Sequence, residues 1–282
     1  MALLNSQPLG FYSPSQLVQD AQRHGVEVRP ADVMRSEVDC TLEGLPHPPA
    51  VRLGLRLIGG LGADAARRIV EARAQAPFES ADDLARRAGL ALHEVKLLAG
   101  ADALASLSGH RRQQVWDASA LGAAPTLLRE ALIDEELLEL CPAPEGEEIV
   151  FDYAALGLTL RRHPLALLRS RLARRGFLTA AQLRELPDGR MARACGIVTL
   201  RQQPDTAGGT VFVSLEDETG CVRAIVWRRV RDPQRGPLLA ARLLAVHGVW
   251  QRQGEVCSLI AGRLEDLTAL LGRLGTVSRD FR

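Results

Sequence analysis

The period of the hydrophobic pattern changes once along this chain, and that change limits the folds it can adopt. Up to Asp188-Gly189 the apolar residues mostly recur every three or four positions, as in ARRIVEAR (66–73), which is the spacing of one helix face. After that point they alternate, as in TVFVSLED (210–217) and CVRAIVWR (221–228), which is the period of a half-buried strand. The sequence therefore predicts a helical part followed by a β part.

The β part has the outline of a five-stranded OB-fold barrel. Five alternating segments are separated by turns, with a short connection (228–240) between the third and the fourth. Such barrels bind single strands across strands two and three and the first loop, with aromatic and basic side chains. The candidate single-strand-binding residues are Arg201, Phe212, Arg223 and Trp227. Which face of these strands lies inside the barrel stays open, and Trp227 could instead be a core residue.

The stretch LIGGLGADAARRIVEAR (57–73) fits two kinds of phosphate-binding turn. Gly60, Gly62 and Ala65 match the G-x-G-x-x-[GA] turn of dinucleotide-binding folds, which requires a second parallel strand after the helix. The next segment, PFESADDLARRAGL (77–90), is a capped helix, so no such strand follows. Two interpretations remain: a helix–hairpin–helix, and a plain helical turn whose glycines allow close packing.

In a helix–hairpin–helix, unpaired hairpin amides and the start of the second helix hold a phosphate without reading bases. Gly60-Leu61-Gly62 would form the hairpin, with Leu61 pointing inward, and Arg67 and Arg68 would flank the phosphate. The residues expected to pack the two helices are Leu57 and Ile58 on the first, and Ala66, Ile69 and Val70 on the second.

Composition excludes several classes of protein. The 282 residues are 46% hydrophobic, which is enough for a core, but no apolar run approaches the ~18 residues that span a membrane. The five cysteines are scattered without a C-x-x-C, which argues against zinc and disulfides. With no signal-like N-terminus, this predicts a cytoplasmic protein. The histidines are isolated, so no catalytic or metal-binding residue is predicted.

Several segments, in the same order along the chain, resemble the bacterial C-family DNA polymerases, the family of the replicative alpha subunit. The likeness is greatest to its error-prone, damage-inducible members. LGLRLIGGLGADAARRIVEAR with PFESADDLARRAGL resembles the region after the palm, and GFYSPSQLVQDAQRHGVEVRPADV is similar to the end of the fingers. The likeness continues through EEIVFDYAALGLTLRRHPLALLR, GIVTLRQQPDTAGGTVFVSLEDETGCVRAIVW and the terminal SRDF.

The resemblance implies a multidomain α+β chain. Its N-terminal part would be mostly helical, and its C-terminal part would be a five-stranded OB-fold barrel. The implied domains are the end of the fingers (1–50), a helix–hairpin–helix domain (51–119), an acidic linker (120–148), a helical connector (149–188), the OB-fold (189–266) and a C-terminal tail (267–282).

The resemblance also implies a function. The chain would be the DNA-binding C-terminal portion of an error-prone polymerase in translesion synthesis and damage-induced mutagenesis, holding primer–template and single-stranded template DNA. The palm, with its Mg²⁺-binding aspartates, is not found in the sequence, so we expect no cofactor and no activity of this chain alone. The alternative is a protein-interaction module that docks the sliding clamp or accessory mutagenesis proteins. No membrane partner is expected.

Two departures from the family pattern are visible. The family often has a lysine where Gly59 stands, so one expected phosphate contact is missing. Pro233, Gly236 and Pro237 interrupt the connection between the third and fourth barrel strands, so we expect the helix there to be reduced.

Overall fold

The computed structural model describes residues 1–7, 12–44, 49–121, 140–275 and 279–281. The chain forms two compact units, residues 1–161 and residues 162–282. Most of the acidic linker predicted for 120–148 lies outside the described residues, at 122–139. Within the described ranges, no helix is both long and apolar enough to cross a membrane.

The first unit is mostly helical. Its helices α1 to α8 span Ala2–Asn5, Pro14–Arg23, Ala63–Gln75, Ala81–Arg87, Leu92–Gly100, Ala105–Ser108, Arg111–Ala120 and Glu145–Leu156. Its strands β1 to β3 span Val28–Arg29, Thr41–Glu43 and Ala50–Arg52, and a 3-10 turn spans Leu55–Leu57.

The second unit is rich in strands. Its helices α9 to α12 span Pro164–Arg174, Ala180–Arg184, Arg228–Arg231 and Arg235–Ala240, and 3-10 turns span Asp205–Ala207 and Thr268–Leu271. Its strands β4 to β9 span Met191–Gln202, Val211–Asp217, Gly220–Val226, Leu243–Gln253, Val256–Asp266 and Arg279–Phe281. The predicted change from a helical to a β pattern is confirmed.

Helix starts follow the capping residues of the sequence. The Ser13 hydroxyl accepts a hydrogen bond from the amide of Gln16 at the start of α2, and Ser80 accepts one from Asp83 at the start of α4. A non-helical segment separates α8 from α9. Helix α8 already ends at Gly157, whose φ of 68° is in the left-handed region, and α9 begins only at Pro164.

The predicted domain boundary at residue 50 cuts through a small sheet. Strand β3 lies between β1 and β2, with Val51 opposite Val28 in parallel pairing and opposite Leu42 in antiparallel pairing. The core beside this sheet is continuous with that of the helices, since Val33 and Ile69 belong to one buried cluster. The segment before residue 50 therefore shares its core with the helix–hairpin–helix segment.

Strands β4 to β8 form a closed barrel. The strand order is β5-β6-β8-β7-β4, and a further pairing of β5 with β4 closes it. The only parallel pair among these five strands is β6 with β8, and α11 and α12 lie in the connection from β6 to β7. This order is the OB-fold topology, so the predicted fold class is confirmed. The connecting helix is reduced to two short pieces, as Pro233 and Pro237 predicted.

Candidate nucleic-acid interface

The predicted hairpin turn is present, but the helix expected before it is not. Leu57 ends a single 3-10 turn, and Ile58 follows it in an extended conformation. The expectation that these two residues pack an α-helix is therefore wrong. Because β3 holds the chain in the sheet up to Arg52, only residues 53–58 remain before the hairpin, and they leave no room for several helical turns.

The glycines of the hairpin have separate roles. Gly60 has a φ of 81°, a left-handed conformation that a side chain disfavours. Leu61 is buried at 8% exposure and anchors the turn inward, as predicted. Gly62 is the N-cap of α3 and offers no side chain to cap it. The first-turn amides of α3, at 63–65, are thus left for an external acceptor such as a phosphate oxygen.

Gly59 connects the hairpin to α8. Its amide donates a hydrogen bond of 2.7 Å to the carbonyl of Ala155 in α8. A Cβ at Gly59 would lie 3.0 Å from that same oxygen, so the close approach of α8 favours glycine here. The amide of Gly59 is therefore not available to a phosphate, and α8 fixes the position of the turn.

The two arginines predicted to flank a phosphate have different surroundings. Arg67 is exposed, and its guanidinium forms an ion pair with Asp64 one turn earlier on α3. Arg68 donates 2.9 Å to the carbonyl of Ala88 and approaches the carboxylate of Glu94 at 3.2 Å. Arg68 thereby links α3 to the end of α4 and the start of α5. Of the two, only Arg67 has a guanidinium whose described contact stays within α3 and which is exposed.

The barrel strands show which of their faces is inside. On β5 and β6 the buried residues are Val211, Val213, Leu215, Val222, Ala224 and Val226. Phe212 and Ile225 face each other across the two strands on the outside, and Arg223 is exposed on the same face. Trp227 follows β6 and is 45% exposed, whereas Trp250 is buried at 2%. Three of the four predicted single-strand-binding residues, Phe212, Arg223 and Trp227, thus lie on one outer surface.

Arg201 is not on that surface. It pairs with Val213, is 6% exposed, and its guanidinium donates to the carbonyls of Leu238 (2.7 Å) and Ala241. The register of β4 against β5 shifts between Val198 and Leu200, and such a one-residue bulge reverses the in-and-out alternation that follows. Arg201 therefore points inward and stabilises α12 and the segment after it. The prediction that Arg201 belongs to the single-strand-binding surface is therefore wrong.

Comparisons with known proteins agree with this geometry. A family model described as a helix-hairpin-helix motif matches residues 25–114. The error-prone DNA polymerase of Ralstonia nicotianae is 56% identical over 99% of this chain, and those of Ralstonia pickettii and Alkalilimnicola ehrlichii are 54% and 50% identical over 99% of it. The chain is thus similar to error-prone DNA polymerases over nearly its whole length. It spans 27% of the length of each of these three proteins.

The family resemblance drawn from the sequence is confirmed by these relatives. Solved structures add little, because asparaginyl-tRNA synthetase from Pyrococcus horikoshii matches 32% of this chain and 22% of its own with a TM-score of 0.29 at 18% identity. That likeness is too small to support an argument. The match of the helix-hairpin-helix family model includes the glycine turn, and so favours that interpretation over a plain helical turn.

Two features near these surfaces were missed by sequence reasoning. Leu97 on α5 lies against Gly60, where an added Cβ would be 3.4 Å from the Leu97 Cδ1, and the neighbouring Lys96 is exposed. A cavity of about 600 Å³ is lined in part by Gln202 of β4, Val211 of β5 and Arg235 of α12. Gln202 is directly opposite Phe212 in the sheet. The basic run RRVRDPQR (228–235) was the one sequence signal for this cavity.

Proposed function

We propose that this chain is the C-terminal DNA-binding portion of an error-prone DNA polymerase that acts in translesion synthesis and damage-induced mutagenesis. Its similarity to such polymerases over 99% of its length supports the proposal. The structural observation that carries it is the uncapped start of α3 at Gly62, directly after the left-handed Gly60. Backbone amides at that place suit a ligand with phosphate oxygens and no need for base recognition.

The hairpin would hold the phosphate backbone of duplex DNA. The amides of 63–65 would donate to one phosphate, and the exposed Arg67 would approach it or its neighbour. Asp64 lies in the same turn and repels an anion, and Gly59 supplies neither a side chain nor a free amide. The binding of DNA at the hairpin would therefore be weak and independent of the DNA sequence, as suits a polymerase that must move along its template.

The outer face of β5 and β6 would hold single-stranded template. Phe212, Ile225 and Trp227 offer apolar surface on which bases can stack, and Arg223 supplies positive charge for the backbone. Stacking depends on the flat faces that every base has, so this surface would accept damaged and undamaged bases alike. Such tolerance is what translesion synthesis requires.

The hairpin is tested by a matched pair of arginine variants. Arg67 and Arg86 are both exposed, and each pairs with an aspartate three residues earlier on its own helix. We expect Arg67→Gln to weaken the binding of a primer–template duplex several-fold and to lower the slope of log affinity against log salt by about 1. Arg86→Gln should leave both unchanged. Equal losses in the two variants would show that the hairpin is not the duplex site.

The barrel face is tested with single strands. Trp227→Ala should weaken binding of an oligothymidylate, because each stacked base contributes about 1–3 kcal/mol. Val256→Ala removes a side chain that is 61% exposed at the start of β8 and serves as the control. The chain alone is expected to bind DNA without extending a primer. If it binds no DNA at low salt, and replacing Gly60 and Gly62 only unfolds it, the protein-interaction hypothesis replaces this one.

A further inference from the structure

A row of basic residues crosses three other strands of the barrel. Arg193 on β4 is directly opposite His247 on β7, and His247 is directly opposite Arg263 on β8. Neighbouring strands are about 4.8 Å apart, so the three backbone positions form a line about 10 Å long. Ala192, Ala194 and Val246, next to them in sequence, belong to the barrel core, so the row faces outward.

The positive charge of this row is not neutralised. Arg263 makes no hydrogen bond or ion pair with another described residue, and Arg193 reaches only the carbonyl of Arg175, at 3.4 Å. Glu265 is the nearby acid, but its carboxylate already pairs with Arg175 at 2.6 Å. Three arginines therefore stand against one carboxylate in the neighbourhood of His247.

His247 reports on this imbalance. Burial lowers its pKa below the usual value, and the positive charges of Arg193 and Arg263 lower it further, while Glu265 acts in the opposite direction. Its Nε2 is buried without a hydrogen bond and lies 3.7 Å from the Glu265 carboxylate, which is too far for one. Arg193 and Arg263 lie on either side of His247, so an anion bound here would offset the positive field of the two arginines.

We propose that the row Arg193–His247–Arg263 binds the phosphate backbone of a nucleic-acid strand, separately from the outer face of β5 and β6. Guanidinium groups match phosphate oxygens in a bidentate manner, and a line of cations suits a linear polyanion better than a compact one. Phe177 packs edge-on against His247 but is itself buried, so the row offers no aromatic platform and contacts the backbone rather than the bases.

An apolar step borders the row on one side. Met191 and Val249 are opposite each other two residues along the same strands, and both are exposed. Such a pair gives the sugars of a bound strand a surface to lie on while the arginines hold the phosphates. The contact adds a second point of attachment on the barrel, beyond the single-strand face of the proposed function, and does not depend on that face.

The test uses the whole chain and two double variants of equal charge. Arg193→Gln with Arg263→Gln removes the row, and Arg171→Gln with Arg273→Gln removes two exposed arginines elsewhere in the same unit. The probe is a fluorescein-labelled oligothymidylate, read by anisotropy at several salt concentrations. We expect the first double variant to bind about tenfold more weakly and to lose about 1.4 from the salt slope, and the control to stay within about twofold of the unmodified chain. Equal behaviour of the two double variants overturns the proposal.

Two further readouts separate this proposal from its neighbours. The pKa of His247, followed by NMR, should rise when the oligonucleotide binds, because phosphate offsets the field of the arginines. If oligonucleotide binding is weakened by the row variant but not by Trp227→Ala, the proposed function of the β5–β6 face is wrong and the row is supported. If binding is weakened by Trp227→Ala but not by the row variant, only the proposal for the row is overturned. A different result would indicate an acidic protein partner instead. In that case polyglutamate would displace the oligonucleotide, and the pKa of His247 would not rise when DNA is added.

Discussion

Arg111 is expected to be the most sensitive single position of the first unit. Its guanidinium is 2% exposed and lies 2.9 Å from the carboxylate of Glu148, and it forms a second ion pair with Asp152. Both acids belong to α8, whose Ala155 carbonyl accepts the hydrogen bond of Gly59 in the hairpin. Arg111→Leu should therefore destabilise α8 and, through it, the hairpin.

The size of the effect follows from what remains around the two acids. Removing one partner of a buried ion pair typically costs about 3–5 kcal/mol, because the other charge is left without compensation. Arg161 still reaches Glu148 at 2.8 Å, and the Thr159 hydroxyl still donates to Asp152. We therefore expect a loss at the lower end of that range, about 3 kcal/mol.

Hydrogen exchange read by mass spectrometry measures this loss, since it resolves peptides of the first unit from those of the barrel. A loss of about 3 kcal/mol accelerates exchange of the most protected amides by about 100-fold. Primer–template binding should weaken in the same variant because the hairpin loses its support.

The neighbouring residue is the control. Arg112 is 39% exposed and pairs with Glu147, which is 43% exposed, at 2.8 Å. A surface pair of this kind contributes less than about 1 kcal/mol, so Arg112→Leu should change exchange by only a few-fold. If the two leucine variants accelerate exchange equally, the buried cluster does not hold α8, and the reasoning is refuted.

Three other perturbations have defined outcomes. Gly60→Ala should lower the free energy of unfolding of the first unit in urea by about 1–2 kcal/mol. Gly60→Asn should lower it less, because asparagine adopts the left-handed backbone more readily than alanine; equal losses would contradict this. The hydrogen bond from Arg52 lowers the pKa of Glu43 from 4.5 to about 2. The stabilisation of the fold by the ionised Glu43 is therefore present above pH 4.5 and is lost as the pH falls toward about 2. The free energy of unfolding measured across that pH range should show this loss, and the loss should be absent in Glu43→Gln. Arg68→Gln should lower the stability of the first unit in thermal unfolding whereas Arg67→Gln should not; a loss in both would assign Arg67 a structural role.

Local features of this protein could be predicted from the sequence because they depend on residues a few positions apart. The N-caps at Ser13 and Ser80 act on amides three residues later. The glycine turn with Leu61 inside follows from five neighbouring residues. Alternation placed Phe212 and Arg223 on the opposite face from the valines, although the sequence did not say which face was buried.

Other features depend on contacts between distant segments and could not be predicted from the sequence. Arg201 turned inward because a bulge in β4 shifts its register against β5, and one residue of shift reverses every later side chain. The helix predicted before the hairpin does not form, because β3 is held in a sheet by strands more than five residues upstream.

The sequence by itself determined the helices with their caps, the glycine hairpin, the alternating strands and the likeness to polymerases, since each is written in short-range patterns. Only the tertiary structure decided that Arg68 links α3 to α4 and α5 while Arg67 pairs within α3, and that Arg193, His247 and Arg263 form one row. Strand pairing brings those three residues together from far apart in the chain, and no spacing in the sequence encodes which strands become neighbours.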